Sequence, residues 1–175
     1  MRLGVFAGVL AAAVAFASPA LAEVKASAPD GLVFQYKGQI PLAKDAAWKR
    51  LVAIGSWWSD EHTYSGKAAS MTLDAVAGGC WCEMWADGEI EHGRVILTMP
   101  GDTLRFATAL GPLQGTGVNA AMTWTLADGP APGTTSVTMD YNVVGSSLSN
   151  LEPMAAVVDG VLQEQFNRFL KPPAG

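Results

Sequence analysis

Four side chains in this sequence bind metals strongly or react as thiols: His62, Cys80, Cys82 and His92, all within 31 positions. The cysteines flank a tryptophan in Gly78-Gly79-Cys80-Trp81-Cys82-Glu83. His62 opens His62-Thr63-Tyr64-Ser65-Gly66, and His92 stands in Glu91-His92-Gly93-Arg94. Gathered in one place, two thiolates and two imidazoles would suit zinc or copper. Apart, each needs its own reading. Residues i and i+2 of an extended strand share a face with Cα atoms about 6.5–7 Å apart. That is at or beyond the usual reach of a disulfide. Cys80 and Cys82 are therefore free buried thiols, a strained, easily reduced and redox-active bridge that requires a local bend, or thiolate ligands of a metal. Nothing resembles Cys-x-x-Cys ahead of a helix, so a thioredoxin-type reaction is not expected.

Strand pairing decides which groups meet. Asp87-Gly88 is a two-residue turn signal. Such a turn pairs Ala86 with Glu89, sets Glu83 opposite His92, and sets Cys82 opposite Gly93. Glu83 and His92 then form a carboxylate–imidazole pair, while Cys80 and Cys82 share the other face with Met84. A three-residue loop shifts the register by one and turns His92 toward Met84 and Cys82, since one residue of slip changes every face. With the two-residue turn adopted, a four-ligand metal site is not expected. The plain reading of Glu83 and His92 is a solvated surface pair. The functional one is a polar handle in a cavity, Glu83 orienting His92 as a base or hydrogen-bonding group. His62 follows Asp60-Glu61 beside Trp57 and Trp58, as a solvated loop residue or one at a cavity mouth.

The elements that must position these groups follow from periodicity. Arg2, the apolar run Leu3 to Phe16, and Ala20-Leu21-Ala22 have the form of a cleavable secretory signal ending at Ala22, residues 1–22. Such cleavage removes Arg2 and leaves 10 basic against 16 acidic residues, a formal charge of −6. This argues against nucleic acid or an anionic membrane as partner. No second long apolar run follows, so no membrane insertion is expected after cleavage. Residues 23–31 read as a flexible lead and 32–172 as one domain.

Leu32 to Ile40 alternates as a strand, and Ala43 to Ile54 has helical spacing with Ala47, Leu51 and Ile54 on one side. Trp57 to His62 is a short second helix or a tight loop. Six strands follow, at 68–76, 80–86, 89–99, 103–110, 118–127 and 135–144, parted by turn signals. A long helix over 151–170 closes the chain, with Ser149 or Asn150 as cap and Gly160 marking a kink or a close approach. These elements predict an α+β protein: a curved seven-stranded antiparallel sheet around a C-terminal helix, with two short helices after the first strand.

This order resembles the helix-grip fold of the START-like (SRPBCC) superfamily, with its polyketide cyclases, pollen-allergen proteins and Hsp90 ATPase activator homologues. Gly78-Gly79-Cys80-Trp81-Cys82-Glu83 looks like the strand entry of the activator-like branch. Gly93-Arg94-Val95 with Pro100-Gly101-Asp102-Thr103-Leu104-Arg105-Phe106 looks like its hairpin. Together with Trp58, His62-Thr63-Tyr64-Ser65-Gly66 and Leu110-Gly111-Pro112-Leu113-Gln114, these motifs are similar to secreted bacterial members.

The resemblance implies a cavity between sheet and helix and, in it, a small hydrophobic or aromatic ligand. Trp58, Phe106, Met122, Trp124, Tyr141 and Val158 are the expected wall, with His62, Glu83 and His92 as polar groups. Competing functions are a cyclase- or hydrolase-like enzyme using His92, Glu83 or His62 as acid or base, and a protein-interaction role, which export disfavours. No Ser-His-Asp order, Walker glycine loop or Rossmann fingerprint is present, and no cofactor is expected. Leu110 to Gly115 reads as a loop at a cavity entrance.

Overall fold

The computed structural model of the chain describes residues 21–172. Residues 1–20 of the expected signal segment lie outside them. Eight strands form one antiparallel sheet: β1 Leu21–Ala28, β2 Gly31–Ile40, β3 Met71–Leu73, β4 Cys80–Trp85, β5 Gly88–Met99, β6 Thr103–Ala107, β7 Asn119–Asp128 and β8 Thr135–Val144. Their spatial order is β1-β2-β8-β7-β6-β5-β4-β3. Two α-helices, α1 Lys44–Val52 and α2 Ala155–Leu170, complete the fold.

Alternation sets the faces. Leu32, Phe34, Tyr36 and Ile40 of β2 turn inward, as do Met122, Trp124 and Leu126 of β7 and Val137, Met139, Tyr141 and Val143 of β8. Helix α2 lays Leu162, Phe166 and Phe169 across this concave face. Each such side chain buries an area that stabilises the fold by roughly 1.5–3 kcal/mol. Arg50 of α1 donates to the carbonyls of Arg168, Phe169 and Lys171, closing the carboxyl end of α2.

Four expectations are corrected. The flexible lead is strand β1, paired with β2 from Leu21↔Lys37 to Ala28↔Gly31, which makes eight strands rather than seven. Residues Val24 to Ser27 are exposed. Its backbone ladder pairs it with β2, and these exposed residues leave no hydrophobic alternation to read. Between strands one and three the second helix is only 3₁₀ turns, Ile54–Ser56 and Asp60–His62. Helix α2 starts at Ala155, after a 3₁₀ turn holding Pro153, and has no side-chain cap; Ser146 instead caps the turn at Ser147–Ser149. Gly160 is exposed on α2. The close approach is at Gly38 of β2, where a Cβ would run into Phe166 and Leu170.

Strand β5 bends twice. Its pairing shifts between Val95 and Leu97 against β6, and opposite the Trp81–Cys82 step against β4. Such bulges sharpen the curvature of a sheet. The second leaves His92 without a cross-strand partner.

Candidate functional site

Strand β4 sorts its side chains by parity. Trp81 and Glu83 face the interior and are buried; Cys80, Cys82 and Met84 face outward. The hairpin to β5 has a two-residue turn, but at Ala86-Asp87, pairing Trp85 with Gly88 and Glu83 with Ile90. The expected Glu83↔His92 register is thus displaced by two residues, which preserves faces. His92, in the bulge, sits diagonally beside Glu83 on the inner side.

Cys80 and Cys82 form a disulfide with Cα atoms 5.4 Å apart. That separation is shorter than two extended residues span, and the register shift at Trp81–Cys82 supplies the local bend the bridge requires. Free-thiol and thiolate-ligand readings are thereby corrected. Among the described residues no group of three or more His, Cys, Asp or Glu is placed to hold a metal ion.

Glu83 and His92 are 0% and 4% exposed, so the surface-pair reading does not hold. His92 Nε2 lies 2.8 Å from Glu83 Oε2. The same carboxylate accepts the backbone N–H groups of Tyr64 and Ser65, which draw the loop after Asp60–His62 down onto the sheet. Burial alone would raise the Glu83 carboxyl, but the hydrogen bonds from Ser65, Tyr64 and His92 outweigh it and hold it below the usual range. For His92, burial dominates the pull of Glu83 and lowers its pKa. At neutral pH the pair is an ionised carboxylate beside a neutral imidazole. The ring is flanked by Trp81 and Tyr64, at centroid distances of 5.4 and 5.9 Å. Thr108 Oγ1 donates to the His92 carbonyl at 2.6 Å. Gly93 permits that approach, because a Cβ there would lie 2.7 Å from Thr108 Cβ.

His92 forms part of the floor of a pocket of about 360 Å³. Trp58 and the His62–Tyr64 loop make one wall, and Leu110–Leu113 a second. Helix α2 closes it with Val157, Val158, Val161 and Leu162, and Tyr141 reaches in from β8. The Tyr141 hydroxyl donates to the Thr108 carbonyl and accepts the Leu110 N–H; burial pushes its pKa up to about 12. His62 stands at the mouth, 3.0 Å from Glu164 of α2. The Ser59 hydroxyl, together with His62, holds the Glu164 carboxyl below its usual value.

Of the expected wall, Trp58, His62, His92, Tyr141 and Val158 line this pocket. Phe106, Met122 and Trp124 do not. All three are buried on the same side of the sheet, and other rings cover Trp124 and Phe106. Trp124 packs on Trp57, Phe166 and Phe169, and Phe106 packs on Trp81. Glu83 acts from behind His92 rather than from the wall. Tyr64, Met154, Val157, Val161 and Leu162 were missed. The helical spacing of apolar residues over 151–170 holds the signal for Met154, Val161 and Leu162; Val157 lies off that spacing, and Tyr64 in an aperiodic loop has none.

No family profile matches this sequence, and no curated protein does. Solved structures match in shape. CalU16 from Micromonospora echinospora superposes with a TM-score of 0.57 at 11% identity, over 89% of this chain and 88% of that one. MLL2253 from Mesorhizobium loti gives 0.57 at 15% identity, over 78% and 93%. The di-domain ARO/CYC StfQ from the steffimycin biosynthetic pathway gives 0.52 at 12% identity, over 81% of this chain and 50% of that one. At these identities the likeness is one of fold, and the chain has an α+β helix-grip fold, a curved antiparallel sheet gripping its C-terminal helix.

Proposed function

We propose that this chain is an exported binding protein that holds a small, largely apolar or aromatic molecule between its sheet and α2. The observation that carries the reading is the apolar pocket of about 360 Å³, with a buried imidazole in its floor. Pockets of this size and lining are the usual form of a small-molecule site. The StfQ likeness supports it at the level of fold, since that protein is an ARO/CYC of a biosynthetic pathway. Export is supported by the signal-like amino terminus and by the disulfide, which persists in oxidising compartments. Cleavage after Ala22 would leave the β1 pairs from Glu23↔Gln35 onward.

Native mass spectrometry of the protein from its own host, before and after denaturation, tests this. A released small molecule is expected, and Val158→Trp, which fills the pocket from α2, should abolish it. Equal retention by that variant would refute the site.

The buried Glu83–His92 pair favours a second reading, an enzyme of the cyclase or hydrolase kind with His92 as acid or base. Turnover of a bound molecule that is lost in His92→Gln and kept in His62→Gln would select it.

A further inference from the structure

We infer that the pocket selects a neutral ligand presenting a hydroxyl or N–H donor, a hydroxylated aromatic above all, and that His92 Nδ1 receives that donor. The inference rests on the binding reading above and names the ligand class.

Three buried residues lining the pocket carry polar side-chain atoms: Trp58, His92 and Tyr141. Two are already committed. Trp58 Nε1 donates to the His62 carbonyl at 2.9 Å, and the Tyr141 hydroxyl both donates and accepts within the protein. His92 is committed on one side only. Its Nε2 faces Glu83 Oε2, and the other groups bonded to that carboxylate, from Tyr64 and Ser65, are donors too. An acceptor on that side requires the proton on Nε2, which leaves a lone pair on Nδ1. Nδ1 has no partner among the described residues, yet it is not one of the buried polar atoms sealed without a partner. It is therefore reachable from the pocket that the ring lines. An acceptor in an apolar wall favours a ligand that brings a donor, because burying either group unpaired is costly.

Charge excludes anions. Among the described residues no Lys or Arg lines the pocket. Two carboxylates are bonded to its lining residues, Glu83 behind His92 and Glu164 paired with His62 at the mouth. A carboxylate ligand would lose its water and gain no cation. An aromatic body suits the Trp58 and Tyr141 walls and the half-exposed Tyr64 at the rim, which stacks on Trp85 at 6.4 Å.

The test is equilibrium dialysis of the mature chain at neutral pH against β-naphthol, its methyl ether, naphthalene and β-naphthoate. β-Naphthol should bind about tenfold more tightly than the ether, the equivalent of one net hydrogen bond, and β-naphthoate should bind most weakly. His92→Phe should keep naphthalene and lose the preference for naphthol over its ether. Nitrogen NMR of the wild-type imidazole should show a proton on Nε2 and an Nδ1 resonance that moves with naphthol and not with the ether. It decides the matter if the variant does not fold. Equal binding of naphthol and ether, tightest binding of naphthoate, or a proton on Nδ1 overturns this inference and leaves the binding reading standing. No binding of any probe overturns both.

Discussion

Replacing Glu83 with glutamine changes charge and donor pattern while keeping shape, and so isolates the buried carboxylate. The donors converging on its two oxygens include the N–H groups of Tyr64 and Ser65 and Nε2–H of His92. An amide offers one acceptor oxygen. Whichever way it turns, its NH₂ group faces a backbone N–H, and at least one buried donor is left unmatched. That costs about 1–3 kcal/mol, and the surviving bonds lose their charge assistance. We expect Glu83→Gln to lose about 2–3 kcal/mol, a fall in Tm of about 4–12 °C for a domain of this size. Urea unfolding followed by tryptophan fluorescence measures the first number. Hydrogen exchange locates the effect, because the amides of Tyr64 and Ser65 should lose protection while β2, β7 and β8 keep theirs. A solvated surface pair would cost under about 1 kcal/mol. A loss below about 0.5 kcal/mol, with both loop amides still protected, would refute the buried-carboxylate reasoning.

Acid should destabilise the protein in two steps. Burial lowers the His92 pKa, so the unfolded chain takes up that proton first, and stability begins to fall below the ordinary histidine value of about 6.5. Glu83, held low by its donors, contributes stability above the ordinary glutamate value of about 4.3, and this is lost as pH falls through its native pKa. A series of urea midpoints with no change between about pH 7 and 5 would count against the first step. Cys80 and Cys82 should resist alkylation until reduced. The double serine variant should lose no more than about 1.5 kcal/mol, because the closed loop is only three residues. Labelling without reductant would contradict the bridge. Gly93→Ala should cost about 1–3 kcal/mol by driving a methyl group into Thr108. It should also weaken binding of a pocket ligand by moving His92, whereas unchanged stability would mean that the strands yield there freely.

How far the sequence reveals this site depends on which physical rule each part obeys. Alternation is local, so the inward faces of β2, β7 and β8 and the stripe of α2 are legible residue by residue. Parity is robust as well. The turn sits at Ala86-Asp87 rather than Asp87-Gly88, but a displacement of two residues leaves Glu83 and His92 together on one face and the cysteines on the other. What periodicity cannot show is what covers a face. Glu83 is buried because an aperiodic loop turns two amides onto it. Phe106 and Trp124 face the concave side yet miss the pocket, because Trp57, Trp81, Phe166 and Phe169 reach them first. Strand β1 escaped because its exposed residues have no hydrophobic period, and a backbone ladder to β2 leaves no mark on the pattern of side chains.

The outer and inner faces of β4 are not independent. An unbulged hairpin would pair every residue of β5, and His92 would take a place in the ladder. The shift at Trp81–Cys82 frees His92 from that place, and the same step brings Cys80 and Cys82 to 5.4 Å. The disulfide thus spans, on the outside, the one irregular step whose inner side presents Trp81 and Glu83 to the imidazole. Thr108 and Gly93 hold the other strand at the same level. A crosslink closing so small a loop adds little to global stability. Its local effect is to limit how far β4 can straighten, and β4 carries Trp81 and Glu83, two of the groups set against the His92 ring. Reduction should therefore change the exchange rates of the amides bonded to Glu83, and the affinity of the pocket, more than it changes the unfolding midpoint. If the midpoint moves and the Tyr64 and Ser65 amides do not, the two faces are uncoupled and the bridge is only a staple.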